Sequence, residues 1–381
     1  MRFLRRIAVS LVAALIAARP AAALARPGDL TWSGAIAAPA GAHAWRIRYE
    51  STGLDGKPIP VTGLLYAPAS AAPPGGRPVI AWAHPTTGVA EKCAVSLDPA
   101  GSSGRTPDLA DLLKRGYAVV ATDYPGLGTP GPHPYLVGVS EARAVLDSVR
   151  AAQHVPAAAA SRRFVAWGHS QGGHAVLFVG QIAASYAPDL SLLGVAAVSP
   201  PTDLETLLQE NLPDGTGRIL ASYAVWSWSH VYDYELAGAV RKRAIPIVNG
   251  VARDCLETKS QAYAIAFASA TLTPRFVLPQ IYTTLPWSAT FSNNSPTQMP
   301  KDVPLFVAQG ESDTIVKPAV TAAYVARACA RGQRVAFDRF DGGHMGAGAT
   351  TYGAFVLWAA HRFAGDPVPS TCPSTRPTSP P

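Results

Sequence analysis

The sequence is poor in charge. Only 15% of its 381 residues are Asp, Glu, Lys or Arg, and no basic run gathers the formal +7 into a patch. Four of the arginines (Arg2, Arg5, Arg6 and Arg19) fall in an N-terminal leader that carries no acid, so the rest of the chain stands near +3. That balance excludes nucleic acid as a partner. Metal signatures are missing as well: there is no Cys-x-x-Cys and no His-Glu-x-x-His, so neither a metal nor another cofactor is implied. Beyond the leader no apolar run is long enough to cross a bilayer, and no repeat of fixed period points to a solenoid.

What is present is a large apolar content, 48% of residues, enough for one sizeable core with an insertion. Arg2, Arg5 and Arg6 precede an apolar run from Ile7 to Ala18, and Ala23-Leu24-Ala25 then offers a small-residue cleavage site. This is the pattern of a secretory signal peptide over residues 1–25, which places the mature chain in the periplasm or outside the cell. Four cysteines, Cys93, Cys255, Cys329 and Cys372, are widely spaced. In an oxidising compartment they read as two disulfides, and spacing alone leaves all three pairings open.

Along the chain, apolar runs of strand type alternate with helical patterns. Residues 26–42 are Pro/Ala/Gly-rich and read as extended. The segment from His43 to Tyr49 alternates in polarity as a half-buried strand does, and Pro58 to Tyr66 can pair with it antiparallel. Val79-Ile80-Ala81-Trp82-Ala83, Tyr117 to Thr122, the run ending at Trp167 and Leu192 to Val198 suit buried strands, and Val303 to Val307 and Arg334 to Phe340 read as further strands. Helical patterns at 108–115, 140–154, 171–186, 317–330 and 351–363 fall between or after them. The rhythm predicts an α/β fold with a mostly parallel, doubly wound sheet. Residues 204–300 break it with helical pieces rich in Tyr and Trp, which predicts a helical cap or lid inserted in the sheet. The expected organisation is therefore core over 26–203, cap over 204–300, core again over 301–365, and a Pro/Ser/Thr-rich tail over 366–381.

One stretch carries the chemistry. Gly168-His169-Ser170-Gln171-Gly172 sits between a buried strand and an Ala/Val/Leu helix, the placement in which G-x-S-x-G forms a sharp turn with its serine at the tip. A serine hydroxyl needs a base, and such a sheet supplies an acid and then a histidine after later strands. Asp313 follows the strand ending at Val307, and His344 follows the last strand on a Gly-rich loop. Asp203 and Glu311 are rival acids, whereas Asp302 precedes its strand and belongs at the opposite sheet edge. The other histidines, including His169 and His174 beside the serine, read as structural. The loop His84-Pro85-Thr86-Thr87-Gly88 is where the second oxyanion donor belongs. Pro85 has no N–H, so Thr86 and the amide of Gln171 are the expected pair. Gly126-x-Gly128-x-x-Gly131 matches a dinucleotide fingerprint, but Pro130, Pro132 and Pro134 forbid the helix that this fingerprint must open.

Taken together, His84-Pro85-Thr86-Thr87-Gly88, Cys93, Asp123-Tyr124-Pro125-Gly126-Leu127-Gly128, Gly168-His169-Ser170-Gln171-Gly172-Gly173 and the Asp313 and His344 loops resemble the secretory lipase family. This is the α/β-hydrolase group of lipase-A-like enzymes and their bacterial relatives. The resemblance covers about residues 43–363 and departs at Pro85, where glycine is expected. It implies the α/β-hydrolase fold and an exported lipase or esterase with a helical lid before the acid-bearing strand. The catalytic residues would be Ser170, Asp313 and His344. It also implies disulfides joining Cys93 to Cys255 and Cys329 to Cys372. The expected substrate is a neutral ester or lipid such as a triacylglycerol, met in transient contact with a lipid interface. A serine peptidase or amidase, and a binding protein without activity, are the competing readings.

Overall fold

The computed structural model describes residues 25–98, 106–256 and 269–373. All but the last residue of the expected leader, part of the cap and the end of the tail lie outside that set.

Nine strands form one sheet in the order β1-β2-β3-β5-β4-β6-β7-β8-β9. They are β1 (Leu30–Ala35), β2 (Ala42–Thr52), β3 (Pro58–Pro68), β4 (Arg77–Ala83), β5 (Ala118–Thr122), β6 (Ala160–His169), β7 (Ser191–Val198), β8 (Leu305–Gly310) and β9 (Val335–Phe340). β1, β2, β3 and β5 pair antiparallel; β5, β4, β6, β7, β8 and β9 run parallel. β1 lies in the stretch whose composition showed only extended chain. Its residues are mostly exposed, so no alternation of polarity marks it.

The central parallel strands β4, β5 and β8, with the C-terminal halves of β6 and β7, are buried on both faces, as their apolar runs require, whereas β9 at the sheet edge is mostly half-buried and carries Asp338 and Arg339. Successive residues feed two cores. Val79, Ala81, Phe164, Ala166, Val195 and Val307 pack against helices α2 (Gly138–Gln153) and α3 (Gln171–Tyr186) and against α8 (Pro318–Ala330). Ile80, Trp82, Val165, Trp167, Ala196 and Phe306 face the other way, onto α1 (Leu109–Lys114) and α10 (Tyr352–Ala364). There Trp167 stacks on Phe355 with ring centroids 4.0 Å apart. The short helix α9 (Ala347–Thr350) leads into α10.

Between β7 and β8 the chain leaves the sheet and builds α4 (Leu204–Asn211), α5 (Gly215–Val231), α6 (Ile245–Val251) and α7 (Trp287–Asn294). These helices form an apolar cluster of their own, with Tyr223, Trp228, Phe276 and Phe291 at its centre. Val89, Tyr135 and Val137, from loops of the core, complete it.

The disulfides join Cys93 to Cys255 and Cys329 to Cys372. The first ties the loop after β4 to the end of α6. The second anchors a C-terminal strap whose Thr371 lies along β9, its N–H donating to Val335 O at 2.8 Å and its Oγ1 accepting from Phe337 N at 3.0 Å.

Candidate active site

At the end of β6 the backbone turns so tightly that Ser170 adopts φ 55°, ψ −120°, a conformation costing about 1–3 kcal/mol in a non-glycine residue. The neighbours explain the flanking glycines. A methyl on Gly168 would strike the carbonyl of Gly172, and one on Gly172 would strike that of Ala83 at the end of β4. Helix and strands can approach this closely only without those side chains. The result is a half-buried hydroxyl at the N-terminus of a 16-residue helix, whose unpaired N–H groups and dipole favour negative charge there.

β8 and β9 bring the partners. The loop after β8 holds Asp313 with Oδ1 accepting from the amides of Ile315 (2.9 Å) and Val316 (2.8 Å). Its Oδ2 accepts from His344 Nδ1 at 2.8 Å, and His344 Nε2 lies 2.9 Å from Ser170 Oγ. With Nδ1 donating to the carboxylate, Nε2 is left free to accept the serine proton. Burial pushes the Asp313 carboxyl up, but the hydrogen bond and charge of His344, with the two loop amides, outweigh it and hold it below the usual range. The two loops brace each other: Ser312 N donates to Gly342 O at 3.0 Å, and Glu311 N to Phe340 O at 2.9 Å.

The rival acids lie elsewhere. Asp203 caps α4 by accepting from Thr206 N, Glu311 pairs with Arg339 on the surface, and Asp302 stands before β8. His169 is closer to the site than its place in a sharp turn suggested. Its ring packs 4.8 Å from that of His344, and burial, reinforced by His344, pushes its imidazole down to about 3. It therefore adds no positive charge beside the base at neutral pH.

The candidate oxyanion loop is fixed from three directions. Tyr124 OH donates to His84 O at 3.0 Å, Thr87 Oγ1 to Cys93 O at 2.7 Å, and Leu256 N to Thr87 O at 2.7 Å. Thr86 Oγ1 lies 2.9 Å from Tyr135 OH, so this hydroxyl already has a partner.

Ser170 opens into a narrow cavity enclosing about 60 Å³ of free volume. Leu204 and Leu207 of α4, Leu220, Ala224 and Trp228 of α5, and Val316 line it, with Tyr135, Leu136 and Gln171 on the core side. Of the aromatics in the insertion, only Trp228 reaches this wall among the described residues. Phe276, Trp287 and Phe291 are spent on the cap's own packing. The α5 face was not foreseen as a pocket wall, although Gly217, Ala221 and Ala224 repeat at helical spacing and leave room along it.

Parallel strands, a strained serine at a strand-to-helix turn and the sheet order define an α/β-hydrolase fold. The sequence profile of the secretory lipase family matches residues 106–371, and the chain belongs to that family. Lipase A of Moesziomyces aphidis is 24% identical over 60% of this chain and 50% of its own length. A probable inactive lipase of Mycobacterium tuberculosis, MT1628, is 26% identical over 47% and 41%. The matched part thus spans half or less of these curated relatives. Among solved structures, Candida antarctica lipase A superposes with TM-score 0.75 at 18% identity, covering 91% of this chain and 84% of that one. The rice cell wall degrading esterase LipA from Xanthomonas oryzae gives 0.70 at 22% identity, covering 87% and 95%.

Proposed function

We propose that this chain is an exported carboxylic-ester hydrolase that cleaves neutral acyl esters through an acyl-enzyme. The single observation that carries the reading is the unbroken chain from Asp313 through His344 to Ser170 Oγ, opening into an apolar cavity. Ser170 Oγ attacks the acyl carbon while His344 Nε2 takes its proton. Asp313 holds the ring orientation and stabilises its charged form. The tetrahedral oxyanion is received by the backbone N–H groups of Gln171 and Thr86, where each donor is worth on the order of 10²–10³ in rate. His344 then gives the proton to the leaving alkoxide, and the alcohol departs. Water, activated by the same histidine, attacks the acyl-enzyme and releases the acid.

The cavity wall sorts substrates. Its apolar lining favours an uncharged acyl chain and, among the described residues, offers no counter-ion for a peptide terminus. The helices between β7 and β8 form that wall, which is the reason to read them as a lid. The two disulfides and the leader pattern support export, and triacylglycerols or similar neutral lipid esters at an interface are the substrate class that fits.

The test is hydrolysis of p-nitrophenyl esters from acetyl to palmitoyl by wild type and Ser170→Ala, with both folds checked by thermal unfolding. Turnover by wild type is expected to vanish in Ser170→Ala, a fall of about 10⁶-fold. A signal that survives the substitution overturns the assignment of the nucleophile. No ester signal and no labelling by a fluorophosphonate leave a binding protein on a hydrolase scaffold.

A further inference from the structure

Behind the nucleophile lies a set of buried polar side chains that the acyl-transfer steps do not use. Glu141, in the first turn of α2, is fully buried. Its Oε1 accepts from Gln171 Nε2 at 2.8 Å and from the Leu136 amide at 3.0 Å. Its Oε2 lies 2.8 Å from His174 Nδ1, and His174 Nε2 lies 2.7 Å from the carbonyl oxygen of Asn294 at the end of α7. Both ring nitrogens of His174 thus face oxygen atoms, one of the carboxylate and one of the cap backbone. Gln171 Nε2 also sits 2.9 Å from His133 Nε2, while His133 Nδ1 lies 2.9 Å from Pro125 O and supplies the proton there.

Such a set is expensive to bury. Polar side chains out of water are held only where hydrogen bonds complete them, and apolar residues of the same volume commonly serve stability as well or better. Its contacts explain why it stands here. Gln171 supplies an oxyanion amide and lines the cavity. Leu136 lines the same cavity at φ +53°, a left-handed conformation held by its amide's bond to Glu141. Asn294 belongs to the cap. One carboxylate therefore joins the nucleophile turn, the cavity wall and the cap.

We propose that Glu141 is a positioning residue for acyl transfer. Through both hydrogens of the Gln171 carboxamide, Glu141 and His133 fix the residue whose backbone N–H receives the oxyanion. The same clamp keeps the Gln171 side chain out of the space that the acyl group must enter. This inference rests on the reading of Ser170 as nucleophile.

The experiment begins with the full chain labelled by a fluorophosphonate, which counts working sites and locates the adduct on Ser170. Glu141→Gln then places an amide N–H against donors. Its kcat per titrated site is expected to fall about ten- to a hundredfold, with KM within about threefold. Inhibition by an alkyl boronic acid, whose serine adduct puts an oxygen in the oxyanion site, is expected to weaken by the same factor as kcat/KM. Gln171→Met removes the clamp while leaving Glu141 bonded to His174 and Leu136, and is expected to show the same split. It decides the matter if Glu141→Gln does not fold. Unchanged kcat per titrated site and unchanged boronate inhibition in a folded variant overturn the positioning role and leave Glu141 structural. Failure of wild type to label at Ser170 is a different result, which removes the nucleophile assignment itself.

Discussion

At the ends of β6, β8 and β9, backbone geometry and backbone hydrogen bonds place the three residues proposed for catalysis: Ser170 by its strained turn, Asp313 by two amides, His344 by a loop braced against its neighbour. In the insertion between β7 and β8, the cavity wall is made of apolar side chains packed on one another. Strand ends fix a reacting atom to a fraction of an ångström because the sheet determines them from both sides. A helical cap only needs to fill volume, and many apolar residues fill it equally well. The first region should respond to substitution in kcat, the second in which ester is preferred.

Asp313→Asn strikes the first region hardest after the nucleophile itself. An amide in place of the carboxylate leaves His344 in the wrong tautomer, and turnover of every ester is expected to drop about 10⁴-fold with the fold kept. Equal losses for acetyl and palmitoyl esters would sharpen the contrast; a loss confined to long chains would break it. In the second region, Ala224→Leu narrows the α5 wall. Activity on long-chain esters is expected to fall about tenfold or more while the acetyl ester stays within a few-fold, since one or two lost methylene contacts are worth about 1–3 kcal/mol. A uniform fall across chain lengths would place Ala224 in the machinery rather than in the wall.

A further effect is on stability rather than on rate. Burial depresses the imidazoles of His169, to about 3, and of His133. A ring neutral in the fold and basic when unfolded takes up a proton on unfolding. Each therefore contributes stability that is present above about pH 6.5 and drains away as pH falls, by at most about 1.4 kcal/mol per pH unit. Asp147 acts in the opposite sense between about pH 4 and 6, because burial raises its carboxyl to about 6. Urea midpoints at pH 4 and 7 are expected to differ less in His169→Asn than in wild type. An equal or larger difference would remove His169 from the acid response.

The sequence made the first region legible because strand-end chemistry leaves local marks. Ser170 and Asp313 follow apolar runs, His344 follows the last strand on a Gly-rich loop, and the glycines around Ser170 are demanded by carbonyls within reach. β1 left no mark, since an exposed edge strand needs no alternation. The cap was visible as an interruption, but its wall was not. The residues that line it are ordinary Leu and Ala, and the eye-catching aromatics mostly fill the cap's own core. Glu141 and His174 were unreadable for another reason. A charged residue in a helix normally faces solvent, and only the packing of α2 on α3 and α7 shows these two turned inward. Spacing could not choose the cysteine pairing either, because the partners meet through loops 162 and 43 residues apart.

The strap at β9 has a consequence for how the protein behaves in a crowd. A sheet's last strand offers a row of unmatched amides and carbonyls to any passing chain, which is the usual route to fibrils and sticky aggregates. Here Thr371 takes the carbonyl of Val335 and the amide of Phe337 that β9 turns outward, and Asp338 and Arg339 put charge beside what remains. Cys329–Cys372 keeps that guard in place. The guard is thus fastened by a covalent bond as well as by hydrogen bonds, so reducing Cys329–Cys372 loosens the cover of the edge without touching the sheet itself.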